Sequence, residues 1–145
     1  MARQIEHSAT ASKAKLLCVP PADVRAFWPH VAPLLKQAIE RTNLCRFQDI
    51  EDDVLDGDGL LWLAWSGKID AAATTSLQQM EDGLVCVLST CGGANMNNWL
   101  PLLKKIEAYA KDEGCTALRI FGRAGWQRVL EGYEVTNVVL EKGLA

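Results

Sequence analysis

Between Leu84 and Leu140 the chain runs through an apolar stretch, a turn of glycines and asparagines, an amphipathic segment, a second apolar stretch, a Gly-Arg-Ala-Gly-Trp turn and a last β-branched run. This order constrains the fold more than any other feature. A strand joined to the next strand through a helix can return only by a crossover, so Leu84–Leu88 and Cys115–Phe121 are expected to pair in parallel. Between them, Cys91-Gly92-Gly93-Ala94-Asn95-Met96-Asn97-Asn98 forms the turn into the helix. Its helix start leaves main-chain N–H groups without partners at the positive end of the helix dipole, an arrangement that suits an anion. The same residues also read as a plain turn that reverses the chain and caps a helix.

The intervening helix is expected to cap on Asn97 or Asn98, to hold Pro101 in its first turn, and to bury Trp99, Leu103, Ile106 and Ala110. Gly114 supplies its stop. After Cys115–Phe121, a short helix from about Gly125 to Leu130 leads through Gly132 to a final strand, Tyr133–Glu141.

Upstream, Val24, Phe27, Trp28, Val31, Leu35 and Ala38 recur at helical spacing. Pro29 and Pro33 fall inside that pattern, which predicts two short helices or one kinked helix broken near Trp28–His30. A second helix is expected over Phe47–Leu55, its Asp49, Glu51, Asp52 and Asp53 complementing the dipole or facing water, with Asp56-Gly57-Asp58-Gly59 as its stop. That acidic cluster lacks the spacing of a calcium loop, and no metal site is expected. The period then changes: Leu60–Trp65, a Ser66-Gly67-Lys68 turn, Ile69–Leu77, an Glu81-Asp82-Gly83 turn and Leu84–Leu88 make an antiparallel meander.

With 145 residues, 49% of them hydrophobic, the chain makes one domain, read as residues 16–145 behind an N-terminal arm of residues 1–15. A net charge of −3 weighs against a nucleic-acid binder that works by neutralising phosphates. Five cysteines without a Cys-x-x-Cys pair indicate a reduced, cytoplasmic protein, and no stretch reads as a leader or a membrane span. Cys91 stands before a helix start, where a thiol pKa can fall; it reads either as a nucleophile or as packing. His30 has no identifiable partner in sequence, and Trp62, Trp65, Trp99 and Trp126 read as core and rim.

The kinked helical start, the meander, the glycine-rich strand-to-helix turn and the closing strand–helix–strand together resemble the GNAT acyltransferase fold, a mixed, mostly antiparallel sheet with one parallel pair, flanked by helices. The chain is similar in particular to small GNAT-like proteins of bacteriophage and prophage genomes. Val19-Pro20-Pro21-Ala22-Asp23-Val24 with Trp28, Leu61-Trp62-Leu63-Ala64-Trp65, Ile106-Glu107-Ala108-Tyr109-Ala110, and above all Gly122-Arg123-Ala124-Gly125-Trp126 followed by Gly132-Tyr133 carry the likeness.

The resemblance implies acetyl-CoA or CoA as cosubstrate and an amine as acceptor, in a bacterial host cell. It implies that Leu84–Cys91 and Ala117–Phe121 splay apart, with Leu88 and Thr90 holding the pantetheine and Gly92, Gly93, Ala94, Asn95, Asn97 and Asn98 the pyrophosphate. Arg123 and Trp126 would complete the site, Arg123 reading either as a contact for a phosphate or carboxylate of the ligand or as a structural arginine that ties its turn to a nearby carboxylate. Trp126 stands where many members have a tyrosine, which leaves Tyr133 as the nearest phenol for an acid role, or else as a core aromatic. The reaction implied is direct attack of the amine on the thioester. The alternative is a non-catalytic phage protein that keeps the fold as an interaction or assembly module, with phage structural proteins or a second copy as partner.

Overall fold

The computed structural model describes residues 15–93, 96–122 and 124–144, and leaves the side chains of residues 42, 96–99, 124 and 125 undescribed. A five-stranded sheet in the order β1-β2-β3-β4-β5 lies between two helical layers. Its strands are β1 (Lys15–Cys18), β2 (Leu60–Trp65), β3 (Ile69–Met80), β4 (Gly83–Gly93) and β5 (Ala117–Ile120). The first four pair antiparallel; β4 and β5 pair in parallel, as the helical crossover requires. β1 has no counterpart among the sequence expectations, which placed Lys15 in the arm.

The helices are α1 (Val24–Thr42), α2 (Phe47–Leu55) and α3 (Met96–Asp112). Both faces of β2 are buried, which is why its sequence is a continuous apolar run rather than an alternation. Leu61 and Leu63 join Val31, Leu35, Ile39, Ile50 and Val54 of α1 and α2. Trp62 and Ala64 join Leu102, Leu103, Ile106 and Ala110 of α3 on the other side. The Ala71-Ala72-Ala73 run of β3, fully buried, lets both layers come close to the sheet centre.

Three expectations are corrected. First, of the two forms expected for the helical start, the two short helices are not found: α1 is one helix through Pro29 and Pro33, uninterrupted at Trp28–His30. Both prolines are exposed, so water can serve the carbonyls of Arg25 and Pro29 that lose their donors, while the stripe from Val24 to Ile39 holds the helix on the sheet. Second, β4 continues through Cys91, Gly92 and Gly93, and α3 starts at Met96, so Asn97 and Asn98 lie in the first helical turn instead of capping it. Pro101 consequently falls in the second turn. Third, Tyr133–Glu141 makes no strand. Its residues have strand propensity, but propensity alone does not make a strand, and the segment pairs with no neighbour among the described residues, leaving Val138, Val139 and Leu140 exposed.

Candidate functional site

The site is built where the parallel pair ends. β4 and β5 pair only over Val85–Leu88 and Ala117–Ile120, and the last contact, the Phe121 N–H donating to the Leu88 carbonyl, is stretched to 3.5 Å. β4 runs five residues further, to Gly93, with β3 as its one strand partner among the described residues. Among those residues no strand covers the edge of Ser89–Gly93 along which β5 would have continued.

A β-bulge marks the same place. Thr74 pairs with Thr90 but Thr75 with Leu88, so Ser89 is an extra residue that bends β4 just as β5 leaves it. The Cys45 thiol lies 3.9 Å from the Ser89 carbonyl.

Between the two strands lies a cavity of about 30 Å³, room for about one water molecule. Its walls are Ser89, Thr90 and Cys91 from β4, Phe121 after β5, Trp126 from the 3₁₀ turn Ala124–Arg128, and Ala38, Ile39 and Arg41 from the end of α1. Thr90 is 4% exposed, and its Oγ1 has no hydrogen-bond partner among the described residues; the same holds for its cross-strand neighbour Thr74. A buried hydroxyl left in that state has lost its water without compensation. Thr90 thus lines the cavity while its own hydroxyl stays enclosed and, among the described residues, unsatisfied.

The structure brings Thr90 and Trp126 together with Cys91 at this cavity. Leu88 marks the fork: its carbonyl takes the last rung, and its side chain is buried with the α3 layer. Gly92 and Gly93 lie on the open stretch of β4, and each has a packing reason for being glycine. A Cβ on Gly92 would sit 2.9 Å from the Leu34 carbonyl oxygen, and one on Gly93 3.0 Å from the Ala71 Cβ. Gly122 is closed in the same way by the Trp126 ring, which fills the space a Cβ would need, so the two ends of that turn stack on each other. Asn97 and Asn98 supply main-chain groups in the first turn of α3; their side chains, with Ala94, Asn95 and Arg123, lie outside the described residues.

Tyr133 is placed elsewhere. It packs against the α3 layer, and its hydroxyl donates to Glu107 Oε2 at 2.5 Å. Burial, reinforced by that carboxylate, pushes its phenol well above the ordinary range. Burial also pushes Tyr109 up to about 12, and Tyr109 packs edge-on to Trp62.

Cys91 departs from the expectation of a lowered thiol pKa: burial pushes it up to about 12, so at neutral pH it is a protonated, apolar wall. The α2 acids are structural or solvated. Glu51 accepts from the Trp28 indole N–H at 2.7 Å, and Gln48 donates to Asp52 at 2.9 Å. His30 lines a separate groove of about 520 Å³ with Phe27, Trp65 and Lys68. That groove lies about 16 Å along α1 from the cavity, at 1.5 Å per residue between Phe27 and Ala38.

Sequence reasoning missed Arg41 and Ile39, and reached Ser89 and Phe121 only as members of the two stretches that the resemblance splays apart. Arg41 carried a faint signal as a cation in the last turn of a helix. The bulge at Ser89 had none, because it is a property of the register between two strands. Among the described residues no group of three or more His, Cys, Asp or Glu is placed to hold a metal, and no helix is long and apolar enough to cross a membrane.

This architecture is the GNAT acetyltransferase fold, and solved acetyltransferases superpose on nearly the whole chain. An aminoglycoside acetyltransferase from an uncultured soil metagenomic sample, in complex with trehalose, matches with a TM-score of 0.69 at 11% identity, over 92% of this chain and 98% of its own. A predicted acetyltransferase with acetyl-CoA from Clostridium acetobutylicum matches with a TM-score of 0.62 at 11% identity, over 89% and 95%. A GNAT family acetyltransferase from Staphylococcus aureus matches with a TM-score of 0.60 at 12% identity, over 91% and 99%. At these identities the likeness establishes the fold. At the level of sequence, no family model and no curated protein matches the chain.

Proposed function

We propose that the chain is a GNAT-type N-acyltransferase that moves an acetyl or related acyl group from acetyl-CoA to an amine. The observation that carries this reading is the stretch of β4, Ser89–Gly93, that no strand covers on the β5 side among the described residues, beside a cavity lined by Thr90, whose enclosed hydroxyl has no partner there, on a fold shared with acetyltransferases. A strand edge with free main-chain groups is what an amide-bearing arm needs in order to add as a pseudo-strand. The α3 N-terminus, three residues beyond the end of β4, is what a diphosphate needs. Both features fit the cosubstrate named with one of the structural neighbours.

When bound, acetyl-CoA supplies an electrophilic thioester carbonyl. The residues of this chain then act by holding and orienting. The β4 main chain fixes the arm, Thr90 offers its hydroxyl to the arm once the cavity wall opens, and Phe121 and Trp126 exclude water. The cavity as it stands admits about one water molecule, so the acyl end enters by displacing a wall; Phe121, 41% exposed, is the side chain with space to move. Bringing amine and thioester together in this way is worth roughly 7–11 kcal/mol, so direct attack needs no dedicated acid–base pair. In this reading Tyr133 is a structural phenol.

The test is a thermal melt with millimolar acetyl-CoA, followed by detection of free CoA thiol released over a panel of amines. A ligand that binds only the native state raises Tm by mass action. Thr90→Val, which keeps the shape and removes the hydroxyl, is expected to fold with unchanged or higher stability and to lose much of that rise. No rise in the parent chain would overturn the proposal.

A further inference from the structure

The groove beside His30 takes no part in the site described above. One wall is the first half of α1, where His30 stands one turn beyond Ala26 and Phe27; the other is the tip of the β2–β3 hairpin, with Trp65, Lys68 and Ile69. That tip is held in place by its own bonds. Trp65 pairs with Ile69, the Ser66 N–H donates to the Lys68 carbonyl at 2.9 Å, and the Ser66 hydroxyl donates to the Asp70 carboxylate. The rings of Phe27 and Trp65 meet edge to face, centroids 6.4 Å apart and planes at 84°, and so form a right-angled aromatic corner. With a volume of about 520 Å³, the groove has the size of a small-molecule site. Its electrostatics are one-sided. Lys68 and His30 are the polar side chains that line it, and no carboxylate does. Lys68 forms no salt bridge among the described residues, and the nearby Asp70 carboxylate is engaged by Ser66.

We propose that this groove is a binding site for a small planar aromatic anion, an aryl carboxylate in chemical class. A flat ring in the corner stacks on one aromatic side chain and meets the edge of the other, which is the geometry aromatic pairs prefer. Ala26 and Ile69 supply apolar contact around it. The carboxylate then faces the Lys68 ammonium, with a ring N–H of His30 as a second donor. Charge decides the class: an aromatic amine would fill the same corner but would bring its ammonium against Lys68. The groove is therefore unsuited to an amine acceptor, and at about 16 Å along α1 from the cavity it is out of reach of a thioester held at β4. Its occupant is a second ligand, and this inference does not rest on acyl transfer.

The test is a titration of the full chain with naphthoate, its neutral counterpart naphthamide and the cationic naphthylmethylamine, followed by calorimetry and by amide and indole N–H shifts in NMR. Naphthoate is expected to bind and to shift the Trp65 indole N–H and the Lys68 amide. Naphthamide should bind about fivefold more weakly, the worth of a partly exposed ion pair, and the amine more weakly still. Lys68→Glu lies in an exposed turn and is expected to keep the circular dichroism spectrum, to weaken naphthoate and to leave naphthamide unchanged; Lys68→Arg should restore naphthoate. No binding of naphthoate at millimolar concentration overturns the proposal, as does equal affinity for the acid, the amide and the amine. Shifts confined to Thr90, Phe121 and Trp126 overturn it too, since they would place the ring in the other cavity. So does naphthoate affinity that survives Lys68→Glu, or that appears only after residues 1–14 are removed, which would make that segment the occupant of the groove.

Discussion

Gly92→Ala separates packing from ligand approach at the residue where the two readings of the glycine pair differ. In the structure the added methyl points at α1, 2.9 Å from the Leu34 carbonyl oxygen, 3.4 Å from its Cγ and 3.5 Å from the Ala38 Cβ. The nearest atom is backbone, which cannot rotate away, so α1 must move off β4 by a few tenths of an ångström. Overpacking of this kind costs about 1–3 kcal/mol. At roughly 2.1 cal/mol/K of unfolding entropy per residue, the 145-residue chain loses about 3 °C of Tm per kcal/mol, so the variant should melt about 3–10 °C lower. Thermal circular dichroism with and without acetyl-CoA reads both quantities. If packing is the reason for the glycine, Tm falls while the folded variant keeps a rise with acetyl-CoA. An unchanged Tm with that rise abolished would refute the packing argument and return Gly92 to the ligand.

Other expectations follow from the hydrogen bonds and ionisations. Because Cys91 holds its proton to about 12 in the fold while an unfolded thiol releases it near 8.5, the unfolded chain gains from rising pH first, and stability should fall above about pH 8.5. Cys91→Ala should flatten part of that fall in denaturant titrations, and iodoacetamide should leave native Cys91 unlabelled at neutral pH in mass spectra. Tyr133→Phe is expected to cost about 1–2 kcal/mol by loss of the bond to Glu107, and to leave acyl transfer intact; unchanged stability with a loss of about a hundredfold in rate would make this phenol an acid after all. Trp28→Phe removes the short indole bond from the half-buried Glu51 carboxylate, leaving it the long 3.5 Å bond from Gln48, and should cost about 1.5–3 kcal/mol by urea denaturation. A cost near zero there would mean that water replaces the indole at no penalty.

Local rules were sufficient wherever one segment's own pattern decides its state. Phe47–Leu55 and Leu60–Trp65 have the bounds that periodicity assigns, and the parallel pairing of β4 and β5 follows from the helix between them, because no shorter connection allows it. The fork in the sheet is implied only by the resemblance to the GNAT fold, since the chain order requires a parallel pair but not that the pair diverge. What the sequence alone could not decide are the contacts made between distant segments. Pro29 and Pro33 read as breakers, and only the sheet beneath α1 shows that its stripe of buried side chains outweighs two missing donors. Gly92 and Gly93 read as a turn until Leu34 and Ala71 are seen to fill the space beside them. The bulge at Ser89, the orphaned hydroxyl of Thr90 and the raised pKa of Cys91 all arise from register and burial, quantities that belong to pairs of segments. The last strand shows the limit most plainly: Val135, Val138, Val139 and Leu140 have the pattern of a strand, but a strand forms only where a neighbouring edge takes up its hydrogen bonds, and the tertiary structure leaves that place open.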